Sequence, residues 1–103
     1  MERKEHNVGV AYLTNVIMDG GGSCVEIEVY VDKQPNSVIR KSLMEDSVLF
    51  GAYGTMVGNT LIEKGCSRCD VRTDGVKGKK LEDFAKTLRE KGLEINIIDR
   101  RFP

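Results

Sequence analysis

The sequence predicts an α+β fold: a two-layer sandwich in which an N-terminal antiparallel β-hairpin is followed by a β-α-β-α-β run. Three observations carry this. Residues 24–31 alternate strictly between apolar and polar positions, the signature of a half-buried strand. Residues 80–91 repeat apolar side chains at helical spacing. Strand-like and helix-like stretches then take turns through the second half of the chain, as they do in βαβ units with parallel neighbouring strands. Half-buried strands with two helices make a sheet-and-helix sandwich.

The first strand is expected over Val8–Leu13 and the second over Cys24–Val31, joined through Asp19-Gly20-Gly21-Gly22-Ser23. In the second, Val25, Ile27, Val29 and Val31 point one way; Cys24, Glu26, Glu28 and Tyr30 point the other. The apolar face of this hairpin must find cover on the chain's own helices or on a neighbouring chain, because a two-stranded hairpin is marginal alone.

Residues 32–46 allow two readings, a short helix over Val38, Ile39, Leu43 and Met44 capped by Ser37, or an irregular strand. Ser47–Tyr53 carries Val48-Leu49-Phe50 and reads as a central strand ended by Gly51. A short helix follows, with Met56, Val57, Thr60 and Leu61 on one face and Gly65 as its stop. Cys69, Val71 and Thr73 alternate with Asp70, Arg72 and Asp74 in the next strand. The best helix spans Lys80–Lys91, with Leu81, Phe84, Ala85 and Leu88 as its apolar stripe, and Leu93, Ile95 and Ile97 form the last strand.

The 103 residues are the size of one domain, so 1–103 is read as a single α+β unit. With 40% hydrophobic and 31% charged residues, the chain is too apolar for disorder and too charged for a membrane span. The charged start Glu2-Arg3-Lys4-Glu5-His6 does not resemble a signal peptide, which leads to an expected cytoplasmic location. Lys+Arg and Asp+Glu are 16 each, so no large single-sign field exists to attract nucleic acid. Lys77, Lys79 and Lys80 in one loop, and Arg100 and Arg101 near the end, read as solvated charge. No membrane or nucleic-acid partner is expected, and no cofactor.

Cys66-Ser67-Arg68-Cys69 is a C-x-x-C, but a zinc site needs about four ligands, and only Cys24 and His6 remain to complete one. Residues three apart leave opposite faces of a regular strand, so the pair chelates only if Cys66 and Ser67 still belong to the turn. The motif also follows a helix rather than preceding one, the wrong end for a redox pair activated by a helix dipole. The plainer reading is three free thiols, in keeping with an odd count. His6 reads as a solvated residue.

Gly51, Gly54 and Gly58, set between an expected strand and helix, offer backbone N–H groups to an anion or small ligand, although the spacing is neither G-x-G-x-x-G nor a Walker loop. The other reading is tight strand-to-helix packing. Asp70, Arg72 and Asp74 share one strand face; they make either a polar pocket or an ion-pair ladder at the surface or between subunits. No catalytic set has persuasive spacing, so whether the chain is an enzyme stays open.

Gly54, Met56-Val57-Gly58, Leu61, Val71-Arg72-Thr73 and the acidic helix after them resemble the YunC family over roughly residues 48–90. That resemblance implies a single α+β domain without established activity, whose N-terminal β region mediates a homotetramer. The family pattern commonly reads Met-Cys-Gly where this chain has Met56-Val57-Gly58, and its pattern does not include the C-x-x-C. The expectation is a soluble homo-oligomer joined through the N-terminal strands. The alternatives are a small-molecule or anion binder, or an enzyme, at the Gly51–Gly58 turn, and a thiol or metal site at Cys66 and Cys69.

Overall fold

The computed structural model describes residues 7–44 and 48–99. Its elements are β1 (Asn7–Ile17), β2 (Ser23–Val31), β3 (Ile39–Met44), α1 (Phe50–Glu63), β4 (Cys66–Asp74), α2 (Lys79–Glu90) and β5 (Glu94–Asp99). The strands form one mixed sheet in the order β3-β2-β1-β4-β5. The pairs β1/β2 and β2/β3 are antiparallel, whereas β1/β4 and β4/β5 are parallel. The α+β sandwich is therefore present, with its second part alternating between helix and strand. No helix among the described residues is long and apolar enough to cross a membrane.

Alternation dictates which side of the sheet is buried. Ala11 and Leu13 of β1 lie opposite Val29 and Ile27 of β2, and Val71 of β4 flanks Ala11 on the other side. All five side chains have 1% exposure or less. Phe50, Val57 and Leu61 of α1 and Phe84 and Leu88 of α2 join them in one core. The apolar side of the hairpin is thus covered by the chain's own helices, the first of the two options its sequence leaves.

One open choice is resolved and one expectation is corrected. Within the undecided stretch 32–46, whose last two residues lie outside the described ones, the strand alternative holds over β3, paired from Val29↔Ile39 to Cys24↔Met44. Arg40 and Lys41 on this outer strand discourage another chain from extending the sheet. The strand expected at Ser47–Tyr53 does not form over its described residues 48–53: Val48 and Leu49 make a turn, and Phe50 opens α1. Three consecutive apolar residues cannot distinguish a strand from one turn of helix. The longer spacing Phe50, Val57, Leu61 decides for helix, with Phe50 1% exposed and Val48 93%.

Gly51, Gly54 and Gly58 consequently lie inside α1 rather than in a strand-to-helix turn. Each glycine in a helix interior costs about 1 kcal/mol relative to alanine. The compensation is the approach of α2. A Cβ on Gly54 would collide with the Thr87 side chain and sit 2.7 Å from the Phe84 carbonyl oxygen; one on Gly58 would sit 2.9 Å from Lys91 Cγ. Gly65, at φ +83°, takes the left-handed conformation that stops α1.

Gly54→Ala is expected to lower stability by about 1–3 kcal/mol through overpacking. Gly51→Ala is expected to raise it by about 0.5–1 kcal/mol, since its added carbon meets only Thr87 Cγ2 at 3.8 Å. Urea unfolding of the two variants checks the opposite signs.

Candidate functional site

Among the described residues, helices cover one side of the sheet only. The other side, the open face, takes the alternate residues: Arg40 and Ser42 from β3, Glu26, Glu28 and Tyr30 from β2, Val10, Tyr12 and Thr14 from β1, Arg68 to Asp74 at even numbers from β4, and Asn96 and Ile98 from β5. Of the expected site residues, Asp70, Arg72 and Asp74 belong here. Gly54 and Gly58 pack against α2 in the other layer, so the structure does not bring the two groups together.

The register places Tyr12 between Glu28 and Arg72, and Val10 between Tyr30 and Asp70. The rings of Tyr12 and Tyr30 meet edge to face, 5.9 Å between centroids at 84°, the geometry favoured by the aromatic quadrupole. Arg40 Nη2 lies 2.6 Å from Glu28 Oε2. The hydrogen bond it donates to Glu28, the charge of Glu28 and a further hydrogen bond to Tyr30 hold the Arg40 proton more tightly than usual. Arg40 and Glu28 side chains are 70% and 32% exposed, so the pair orients side chains more than it stabilises the fold.

A cleft of about 340 Å³ opens beside the tyrosines, lined by Val10, Tyr12, Glu28, Tyr30, Val31 and Asp32. A second, of about 320 Å³, lies between Glu26, Glu28, Arg40, Lys41 and Ser42. Glu28 borders both.

On β4 the polar groups are incompletely matched. Arg68 Nε approaches Asp70 Oδ1 at 3.5 Å, close enough for an ion pair but without hydrogen-bond geometry. Asp70 Oδ1 and Arg72 Nε are both shielded from solvent and make no hydrogen bond. Arg72 has no ion-pair partner among the described residues. Shielded polar atoms without a hydrogen bond are uncommon in folded proteins.

The cysteines sit elsewhere. The β1/β4 register shifts between Asn7↔Cys66 and Val8↔Arg68, which leaves Ser67 as an extra residue. This bulge turns Cys66 onto the same side as Cys69, and both are buried in the core. Three-residue spacing on a regular strand would have separated them. Burial, aided by the charge of Asp70 and by Cys66, pushes the Cys69 thiol up to about 12. Burial, then the charge of Asp32, raises Cys66 as well. Both are therefore thiols at neutral pH, whereas metal binding and nucleophilic chemistry need thiolates. Among the described residues no three His, Cys, Asp or Glu side chains gather as a metal site. His6, Arg100 and Arg101 lie outside the described residues. Lys77 is exposed in the β4–α2 loop, and Lys79, in the first turn of α2, bonds Asp83.

The sequence identifies Glu26, Glu28, Tyr30, Asp70 and Arg72 as residues turned away from the apolar side. It does not single out Tyr12 or Arg40. Tyr12 is legible in retrospect from the alternation of β1, whereas Arg40 depends on the undecided strand β3. No protein-family model matches the chain, and no curated protein is significantly similar to it.

Thiol labelling of the folded protein near pH 8 is expected to modify Cys24, which is half-buried on the open face, well before Cys66 or Cys69. All three should react at similar rates in denaturant. Because the folded Cys69 pKa lies above its unfolded value, its contribution to stability is intact below about pH 9 and is lost as pH rises toward 12. Cys69→Val should reduce that alkaline loss, read from urea midpoints between the two limits.

Proposed function

We propose that this chain is a homo-oligomeric interaction domain, with no chemistry of its own, assembled through the open face of its sheet across the N-terminal strands. The observation that carries the reading is the half-buried strip Val10, Tyr12 and Tyr30, set among charged residues with no second layer of described residues over it. A sheet with one solvated face needs no cover in principle. Here, however, two tyrosines pack on one another at its centre and two polar atoms of β4 lack hydrogen bonds. Tyrosine and arginine are the residue types that anchor protein interfaces. The helix-facing side of the hairpin is already filled, which favours the face opposite to the one its sequence first suggests.

Light scattering on the purified chain should give a mass at a multiple of 11.5 kDa that persists on dilution to micromolar concentration. Tyr12→Glu with Tyr30→Glu should shift it toward one subunit while leaving the circular dichroism spectrum unchanged. A wild-type monomer at that concentration would remove the reading.

A second reading follows from the cleft beside the tyrosines. Two aromatic rings with Glu28 and Asp32 at the rim suit a small organic cation, held by ring faces and carboxylates, rather than the anion expected at the glycines. A ligand of the folded state raises the melting temperature. A panel of primary and quaternary amines should do so for the wild type, and less for Asp32→Asn. A flat response across the panel speaks against a cation site.

A further inference from the structure

We propose that the open face binds a second copy of this chain with β4 stacked antiparallel over the partner's β4, the two-fold axis crossing between Asp70 and Arg72. The inference rests on the oligomeric reading above and adds its register.

β4 presents Arg68, Asp70, Arg72 and Asp74 to the open side, at every second position. The signs run plus, minus, plus, minus. Such a string is its own complement when reversed. Asp70 then faces the partner's Arg72, Arg68 faces the partner's Asp74, and the symmetry repeats both pairs. With the two β4 strands stacked parallel, like would meet like, an arrangement that interfaces avoid.

The β4 atoms that lack a hydrogen bond sit on the two side chains that this register pairs. On this strand they are one acceptor, Asp70 Oδ1, and one donor, Arg72 Nε. The reversed stacking brings the two side chains that carry them together twice. The competing arrangement turns the axis along β1 and sets Arg72 over the partner's Glu28. Glu28, however, already holds Arg40 at 2.6 Å, whereas Asp70 meets Arg68 only at 3.5 Å and Arg72 holds no carboxylate among the described residues. A two-fold interface uses the same patch on both copies, so a self-complementary ladder at its centre is sufficient to define it.

The test is a charge-exchange mixture followed by analytical ultracentrifugation. Asp70→Lys alone sets an ammonium group against the partner's Arg72, and Arg72→Asp alone sets two carboxylates together. Each should weaken self-association at least about tenfold. Mixed, the two variants form a heterodimer in which the introduced lysine meets the introduced aspartate. The native Arg72 of one copy meets the native Asp70 of the other. Association should then return to within about threefold of wild type. Thermal melts establish that each variant is folded. If either is not, the exposed outer pair Arg68→Asp and Asp74→Arg repeats the experiment, and by the same geometry only the mixture should associate.

Self-association unaffected by the single changes overturns the proposed register but leaves the oligomeric reading standing. Weakened variants that the mixture does not restore also overturn it, and restoration by Glu28→Arg with Arg72→Glu would assign the axis along β1 instead. A monomeric wild type overturns both.

Discussion

Burial of one side of the sheet beneath α1 and α2 is the interaction on which the remaining structure depends. Ala11, Leu13, Ile27, Val29 and Val71 are closed to solvent there, as are Phe50, Leu61, Phe84 and Leu88 in the helices above them. Each of the larger aliphatic or aromatic side chains contributes roughly 1.5–3 kcal/mol relative to exposure. The two helices can share one side because they approach closely at Gly54 and Gly58, where a Cβ would meet α2. The glycines therefore serve the fold, weak as they are for α1 taken alone.

That arrangement commits the opposite face. β1 cannot send Leu13 inward without turning Tyr12 and Thr14 outward, since the side-chain period of a strand is two. Once both helices lie on one side, Tyr12, Tyr30, Asp70 and Arg72 have no layer of their own chain's described residues above them. The same geometry explains the cysteines. The extra residue Ser67 rotates Cys66 to the inner side, and burial there keeps Cys69 protonated. A motif that the sequence allows as a chelating or redox pair, but reads more plainly as free thiols, becomes part of the core.

Much of the architecture was legible in the residues. The alternation of β2 and β4, the stripe of α2 and the glycine-rich hairpin follow from local patterns that tertiary structure leaves unchanged. The boundary between β3 and α1 was not, because Val48-Leu49-Phe50 is too short to show a period and Gly51, Gly54 and Gly58 argue locally against a helix. Gly54 and Gly58 answer to Phe84, Thr87 and Lys91, which lie too far along the chain for any local window to contain. The candidate site was half legible. Asp70, Arg72 and Asp74 stood out as an alternating face, and an ion-pair ladder was one of their two readings. Their position opposite the glycines, and the lack of hydrogen bonds at Asp70 Oδ1 and Arg72 Nε, emerge only once the strands are ordered.

The central claim is that one side of the sheet is closed by the chain itself while the other is its contact surface. Side-chain NMR over a dilution series separates the two directly. The account predicts that the aromatic signals of Tyr12 and Tyr30 and the methyl signals of Val10 move with concentration, while those of Val29, Leu61 and Leu88 stay fixed. Movement confined to the helix-side residues, or none on the open face across an associating range, would contradict it.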